Sequence, residues 1–393
     1  MVTKTSPSEE LPVSVVFTAE GIAYEFIREL GAGTHGERML LARPRLKDGA
    51  GAPVVVKTLG LMDDAQARKR LAEEIYLASL LEHPGITRVL GLHEVEGALH
   101  AVLEYVEGRS LDELYTDALL CGCFCSERFV LYLAAELASA LHAAHTLADA
   151  RGQPLGIVHR DLHPERIRLG TQGQVKLGGF GLATSRLEGR RASSIPRVAG
   201  AVIYASPEQL LQRPVDARSD LFSLGLVMME LLTGQHLYRL LEDVDLRRMG
   251  LDLATLSLDK LQLMEATIAE LGRLHEAGLQ QTGLAQLAHQ ATSFGFEDVE
   301  RLAREVPEPT RFILHKLLRQ EPEERYRSAA ELEKALRERL QVLGPYGARE
   351  ATEEVFLLQV EASGLSSRDF AEPGDEPARF PRRTPGELTT PPS

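Results

Sequence analysis

At Gly108 the sequence changes texture, and that change sets the class of fold open to it. Between about Phe17 and Tyr105, short β-rich runs (Tyr24–Glu29, Arg38–Arg43, Val54–Leu59, Val89–His93 and Leu99–Glu104) are bounded by Gly, Pro or charged residues. One amphipathic stretch, Asp64–Leu81, interrupts them, with Leu71, Ile75, Ala78 and Leu81 at spacings of three and four. The pattern predicts a small antiparallel sheet with one helix. After Gly108, Arg128–Ala148, Pro207–Leu211, Asp220–Thr233, Pro309–Arg319 and Ser328–Leu343 read as helices, Ser328 as an N-cap with Glu331 completing a capping box. The expectation is an α+β protein with a sheet lobe over 17–105 and a mostly helical lobe over 106–343. A charged stretch at 240–305 reads as a helical insertion and a surface for docking partners, and 344–363 as a further helix. Residues 1–16 and the Pro- and Arg-rich 364–393 read as disordered tails.

Composition removes whole classes of function. The 393 residues carry a net charge of −13, which argues against a nucleic-acid-binding surface. No apolar run reaches the roughly 20 residues of a membrane span, and the first residues lack a signal-type apolar segment. The three cysteines are confined to Cys121-Gly-Cys123-Phe-Cys125, too few and too close for a disulfide framework. Together these predict a cytoplasmic protein without membrane or nucleic-acid partners. Only eight lysines are present, so Lys57 in the apolar run Val54-Val-Val-Lys57 calls for a reason.

Several motifs supply it. Gly31-Ala-Gly33-Thr-His-Gly36 lies between two strand-like segments, which argues against a dinucleotide-binding turn opening a helix. Ile157-Val-His159-Arg160-Asp161-Leu162-His163-Pro164-Glu165-Arg166-Ile167 is followed by Gly178-Gly179-Phe180-Gly181, Ser206-Pro207-Glu208, Asp220-Leu-Phe-Ser-Leu-Gly225 and Glu321-Pro-Glu-Glu-Arg325. In this order and at these spacings the chain, from about Phe17 to Leu340, resembles the eukaryotic-type Ser/Thr protein kinases, and the long segment Thr146–Leu155 resembles bacterial members. The resemblance implies a bilobal fold and assigns roles. Gly31, Gly33 and Gly36 would cover nucleotide phosphates; Lys57 would bind them and pair with Glu74. Glu104, Tyr105 and Val106 would form the adenine-binding hinge, with Leu103 as gatekeeper. Asp161 would accept the substrate hydroxyl's proton. His159 and Phe180 would stack between the lobes, Glu208 would pair with Arg325, and Asp220 would brace the catalytic loop.

Departures from the family's pattern decide the expected function. Arg166 stands where the family has a metal-binding asparagine, and Gly179 where it has a metal-binding aspartate. Neither supplies a side-chain oxygen for Mg²⁺, so Mg²⁺ is not expected, and ATP, if it binds, should bind weakly or without metal. Arg166 could substitute one positive charge toward phosphate, or bridge to Asp161 and close the site. Arg38, Val55 and Arg168 replace smaller or apolar residues around the adenine slot, and the two arginines must fold away or fill it. His163 replaces a phosphate-binding lysine and reads as a solvated loop histidine.

Two smaller constellations have competing readings. Cys121, Cys123 and Cys125 with His142 and His145 allow a zinc site or reduced loop thiols. Arg190-Arg191-Ala-Ser193-Ser194 reads as a solvated basic loop or as a phosphorylation site able to pair with Arg160. The leading expectation is a pseudokinase that binds signalling proteins, such as an active kinase or its substrate, as scaffold or allosteric regulator. The alternatives are a divergent but active Ser/Thr kinase using ATP, kept open by Lys57, Glu74 and Asp161, and another nucleotidyl transfer on the same fold.

Overall fold

The computed structural model describes residues 14–33, 36–60, 65–185, 200–238 and 284–363. They form two compact units. The first holds the residues up to Glu82 with Ile86–Val106 and Gly179–Gly181; the second holds His83–Gly85, Glu107–Gly178 and the residues from Leu182 onward.

The first unit is an antiparallel sheet of β1 (Val15–Ala19), β2 (Ile22–Ala32), β3 (Arg38–Leu46), β4 (Gly49–Ala50), β5 (Val54–Leu59), β6 (Val89–Val95) and β7 (Ala98–Glu104). The strand order is β1-β2-β3-β5-β7-β6, with β4 paired to β3. Helix α1 spans Ala65–Ser79. Alternation along β5 decides what each residue meets. Val54 and Val56 enter a cluster with Phe17, Tyr24, Leu40, Ala42 and Val102. Val55 and Leu59 lie on the opposite face, packed with Leu71 and Ile75 of α1. Lys57 shares that second face, so its side chain meets the helix that carries Glu74.

The second unit contains a small antiparallel sheet, β8 (Gly108–Ser110), β9 (Ile167–Gly170) and β10 (Val175–Leu177), in the order β10-β9-β8. Helices follow: α2 (Leu111–Cys121), α3 (Glu127–Thr146), α4 (Pro207–Leu210), α5 (Ala217–Thr233), α6 (Leu284–Ser293), α7 (Phe296–Leu302), α8 (Glu308–Leu317), α9 (Ala329–Leu343) and α10 (Ala348–Ala362). Helix α5 is apolar nearly all round and almost wholly buried, the signature of a central core helix. Among the described residues no helix is long and apolar enough to cross a membrane.

The structure departs from the sequence reading at definite places. The sheet starts at Val15, inside the stretch read as tail, because Val15-Val16-Phe17 supplies β-branched and aromatic residues that pair with β2. Helix α2 was absent from the reading, although Ser110 and Glu113 form a full capping box at its start. The Ser328 hydroxyl does accept from Glu331 N, but the Glu331 carboxylate takes Lys316 Nζ at 2.7 Å and Arg327 N at 2.9 Å instead of closing the box. Helix α10 falls within the stretch read as the C-terminal helix. Residues 1–13, 239–283, the Arg190–Ser194 motif and 364–393 lie outside the described residues.

Candidate active site

In the first unit the strand register sets the site: Lys57 in β5 lies opposite Met39 of β3 and Ala101 of β7, in the middle of the sheet. Its Nζ lies 2.7 Å from Glu74 Oε1, both side chains buried, so the expected pair is formed. A second carboxylate, which the sequence reading passed over, also reaches it: Glu37 Oε1 lies 3.3 Å from Nζ and Glu37 is fully buried. Burial pushes the Lys57 ammonium down, but Glu74 and Glu37 more than offset this and hold it above its ordinary value.

Glu37 is placed by the glycine loop. Gly31 (φ +118°) and Gly36 (φ +82°) take left-handed conformations, Gly33 N donates to Glu37 O at 2.7 Å, and Gly36 N donates to Gly33 O at 3.2 Å. A Cβ on Gly33 would lie 2.0 Å from Glu37 Oε1. Glycine at 33 therefore makes room for the carboxylate. At the end of β7, Glu104 pairs with Arg88: its backbone N donates to Arg88 O at 2.9 Å and its Oε1 accepts from Arg88 N at 2.7 Å. Leu103 and Val106 are buried beside it.

In the second unit Asp220, on the first turn of α5, is fully buried and organises the loop that carries Asp161. It accepts from His159 N and Arg160 N, both at 2.8 Å, and contacts His145 Nε2 at 2.8 Å. Burial raises the Asp220 carboxyl, but His145, His159 and the backbone donors bring it below its ordinary range. Asp161 N donates to His159 Nδ1 at 3.2 Å, so Nε2 carries the ring proton and donates to Gly178 O at 3.0 Å. Burial keeps His159 neutral by lowering its pKa.

Asp161 is taken up by Arg166. Its Oδ2 accepts from Arg166 Nε at 2.9 Å and lies 2.8 Å from Nη2. Of the two placements left open for Arg166, the structure has the bridge to Asp161. His163 is not the solvated histidine expected: it is 5% exposed, with Nε2 at 3.7 Å from Asp161 Oδ1, because the short helical turn after it folds the loop back on itself. Burial raises the Asp161 carboxyl, while His163 and Arg166 more than offset it and hold it below the usual range.

Arg38 and Arg168 each have a polar partner within their own unit. Arg168 Nη2 donates to Gly108 O at 2.7 Å, and Arg38, on the exposed surface, pairs with Glu29 at 3.2 Å. The magnesium donors are another matter. Arg166 presents a guanidinium already bound to Asp161, and Gly179 (φ +83°) presents no side chain, so neither position fits a hard divalent cation.

The remaining family positions behave as structure. Arg325 and Glu208 form a buried two-pronged pair at 2.7 and 2.9 Å. Among the described residues none of the three cysteines forms a disulfide, and Cys123 and Cys125 are buried. His145 is engaged with Asp220, which takes it out of the zinc reading. Among the described residues no group of three or more His, Cys, Asp or Glu is arranged for a metal ion.

Known proteins resemble this chain in sequence. The tyrosine-protein kinase MasK of Myxococcus xanthus is 34% identical over 217 residues, 53% of this chain and 32% of that protein. The serine/threonine-protein kinase Sgk1 of Danio rerio is 32% identical over 234 residues, 58% of this chain and 50% of that protein. The chain thus spans half or less of the length of these relatives. A solved structure of the PknI kinase domain of Mycobacterium tuberculosis aligns at 21% identity and a TM-score of 0.49, covering 84% of this chain and 99% of that one. The protein kinase domain family model matches residues 24–336, and with its sheet lobe, helical lobe and the Lys57–Glu74 and Glu208–Arg325 pairs in place, the chain belongs to the protein kinase domain family.

Proposed function

We propose that this protein is a pseudokinase, acting by binding as a signalling scaffold or allosteric regulator rather than by phosphoryl transfer. The observation that carries the reading is Arg166, whose Nε and Nη2 both lie within hydrogen-bond distance of Asp161 Oδ2. A carboxylate that must take a hydroxyl proton loses basicity when a guanidinium already holds it. The same arginine, with Gly179, removes both side-chain oxygens that would hold metal. Phosphoryl transfer relies on positioning and charge neutralisation, and each decade of rate corresponds to about 1.4 kcal/mol of barrier. On this reading loss of the metal-holding side chains removes a principal source of that charge neutralisation. Its partners on this reading are signalling proteins, an active kinase or a kinase substrate. The net charge of −13 disfavours nucleic acid.

The test is thermal stabilisation by ATP with and without Mg²⁺, since a ligand that binds only the folded state stabilises it by RT ln(1 + [L]/Kd). The reading expects any ATP stabilisation to be the same in EDTA as in Mg²⁺. Stabilisation that appears only with Mg²⁺ would count against it. A second reading, a divergent active serine/threonine kinase, is favoured by one feature, the intact Lys57–Glu74 pair at 2.7 Å.

A further inference from the structure

Glu37 has no place in the catalytic scheme, yet it is the least exposed member of the Lys57 cluster. Its backbone closes the glycine loop on Gly33, and its side chain lies where a Cβ at 33 would collide with three of its atoms. Its Oε1 approaches the one lysine that the family uses for phosphate, at 3.3 Å. Counted as charges, the buried cluster is one ammonium against two carboxylates, Glu37 and Glu74. Glu74 is accounted for as the helix partner of Lys57. The carboxylate in excess is Glu37, and it arrives from the loop that would otherwise lie over an anion.

We infer that Glu37 is an internal stand-in for phosphate at Lys57, so that the lysine takes a phosphate-bearing ligand only when the Glu37 carboxylate is withdrawn. The inference deepens the binding role proposed above, and it rests on the assignment of Lys57 as the phosphate subsite. A ligand phosphate and the Glu37 carboxylate compete for the same donor, and with Glu37 in place the cluster's net negative charge repels a polyanion.

The experiment is isothermal titration of the full chain with inorganic triphosphate and, separately, with ATP, both in EDTA. Glu37→Gln keeps the shape and removes the charge; Glu37→Ala removes both. Each should bind triphosphate about tenfold tighter than the unaltered protein or more, the scale for removing a unit charge a few ångströms from the ligand. Adding Lys57→Ala to Glu37→Gln should erase the gain. Unchanged affinity in Glu37→Gln, or a gain that survives loss of Lys57, overturns the inference. A gain seen with ATP but not with triphosphate also overturns it, because the effect would then lie at the adenine end. Mg²⁺-dependent phosphoryl transfer by the unaltered protein would defeat the pseudokinase reading while leaving this comparison of affinities intact, so the two fail separately.

Discussion

Replacing Arg166 with alanine should expose the electrostatic cost of the arrangement around Asp161. The Asp161 side chain is 3% exposed, and besides Arg166 it has the His163 imidazole at 3.7 Å. Breaking a fully buried ion pair by removing one partner costs about 3–5 kcal/mol. Arg166 itself is 24% exposed, so solvent screens part of the interaction and the expected loss is about 1–3 kcal/mol. Urea unfolding of the unaltered protein, Arg166→Ala, Asp161→Asn and the double variant isolates the pair, with an expected coupling of about 1–3 kcal/mol at neutral pH. The sign with pH follows from the lowered folded-state pKa of Asp161. The pair's contribution is fully present above the unfolded carboxyl value of 3.8 and fades as pH falls through the still lower folded value. A coupling below about 0.5 kcal/mol at neutral pH would show that Asp161 is held by something other than Arg166, and would refute the reasoning.

Other outcomes follow from single contacts. Arg325→Met leaves the buried Glu208 carboxylate without its two-pronged partner and should cost about 3–5 kcal/mol in denaturant unfolding, whereas a loss under about 1 kcal/mol would contradict the role given to that pair. Burial raises the Glu230 carboxyl to about 7, against the pull of donors Tyr204 and Tyr115, so the folded protein holds this proton more tightly than the unfolded chain. Stability should therefore fall as pH rises from about 4.5 to about 7, by on the order of 3 kcal/mol, and Glu230→Gln should lack that slope; parallel curves for the two proteins would contradict it. At Gly173 (φ +79°) a Cβ would lie 1.9 Å from Ala348 O. Gly173→Ala should accordingly speed hydrogen exchange across Ala348–Ala362, and unchanged protection there would show that the helix is not seated through this contact.

The parts of this fold legible in the sequence were those written in side-chain chemistry at fixed spacing. The run from Ile157 to Ile167 is ungapped, so Asp161 and Arg166 could be assigned by counting, and their opposite charges made the observed bridge one of two readings. Lys57 stood out because lysine is rare here and its neighbours are β-branched. Helix α2 carried a readable signal: Ser110 and Glu113 at capping-box spacing, interleaved with Leu111, Leu114 and Ala118, residues that the helix buries. Glu37 was not legible. Its role depends on a loop closing through Gly33 N and Glu37 O, and on glycine leaving space at 33, neither of which a linear spacing encodes. His163 misled for a related reason, since a polar residue in a loop reads as solvated until the turn that buries it is known.

On the pseudokinase proposal this protein does not transfer phosphate, and a phosphoryl-transfer assay measures that outright. The purified full chain, incubated with γ-labelled ATP and Mg²⁺ or Mn²⁺, should label neither itself nor a generic protein substrate above the level of its own Asp161→Ala variant. Metal-dependent autophosphorylation by the unaltered protein that disappears in Asp161→Ala would contradict the account, because it would mean that Asp161 acts as a base despite Arg166.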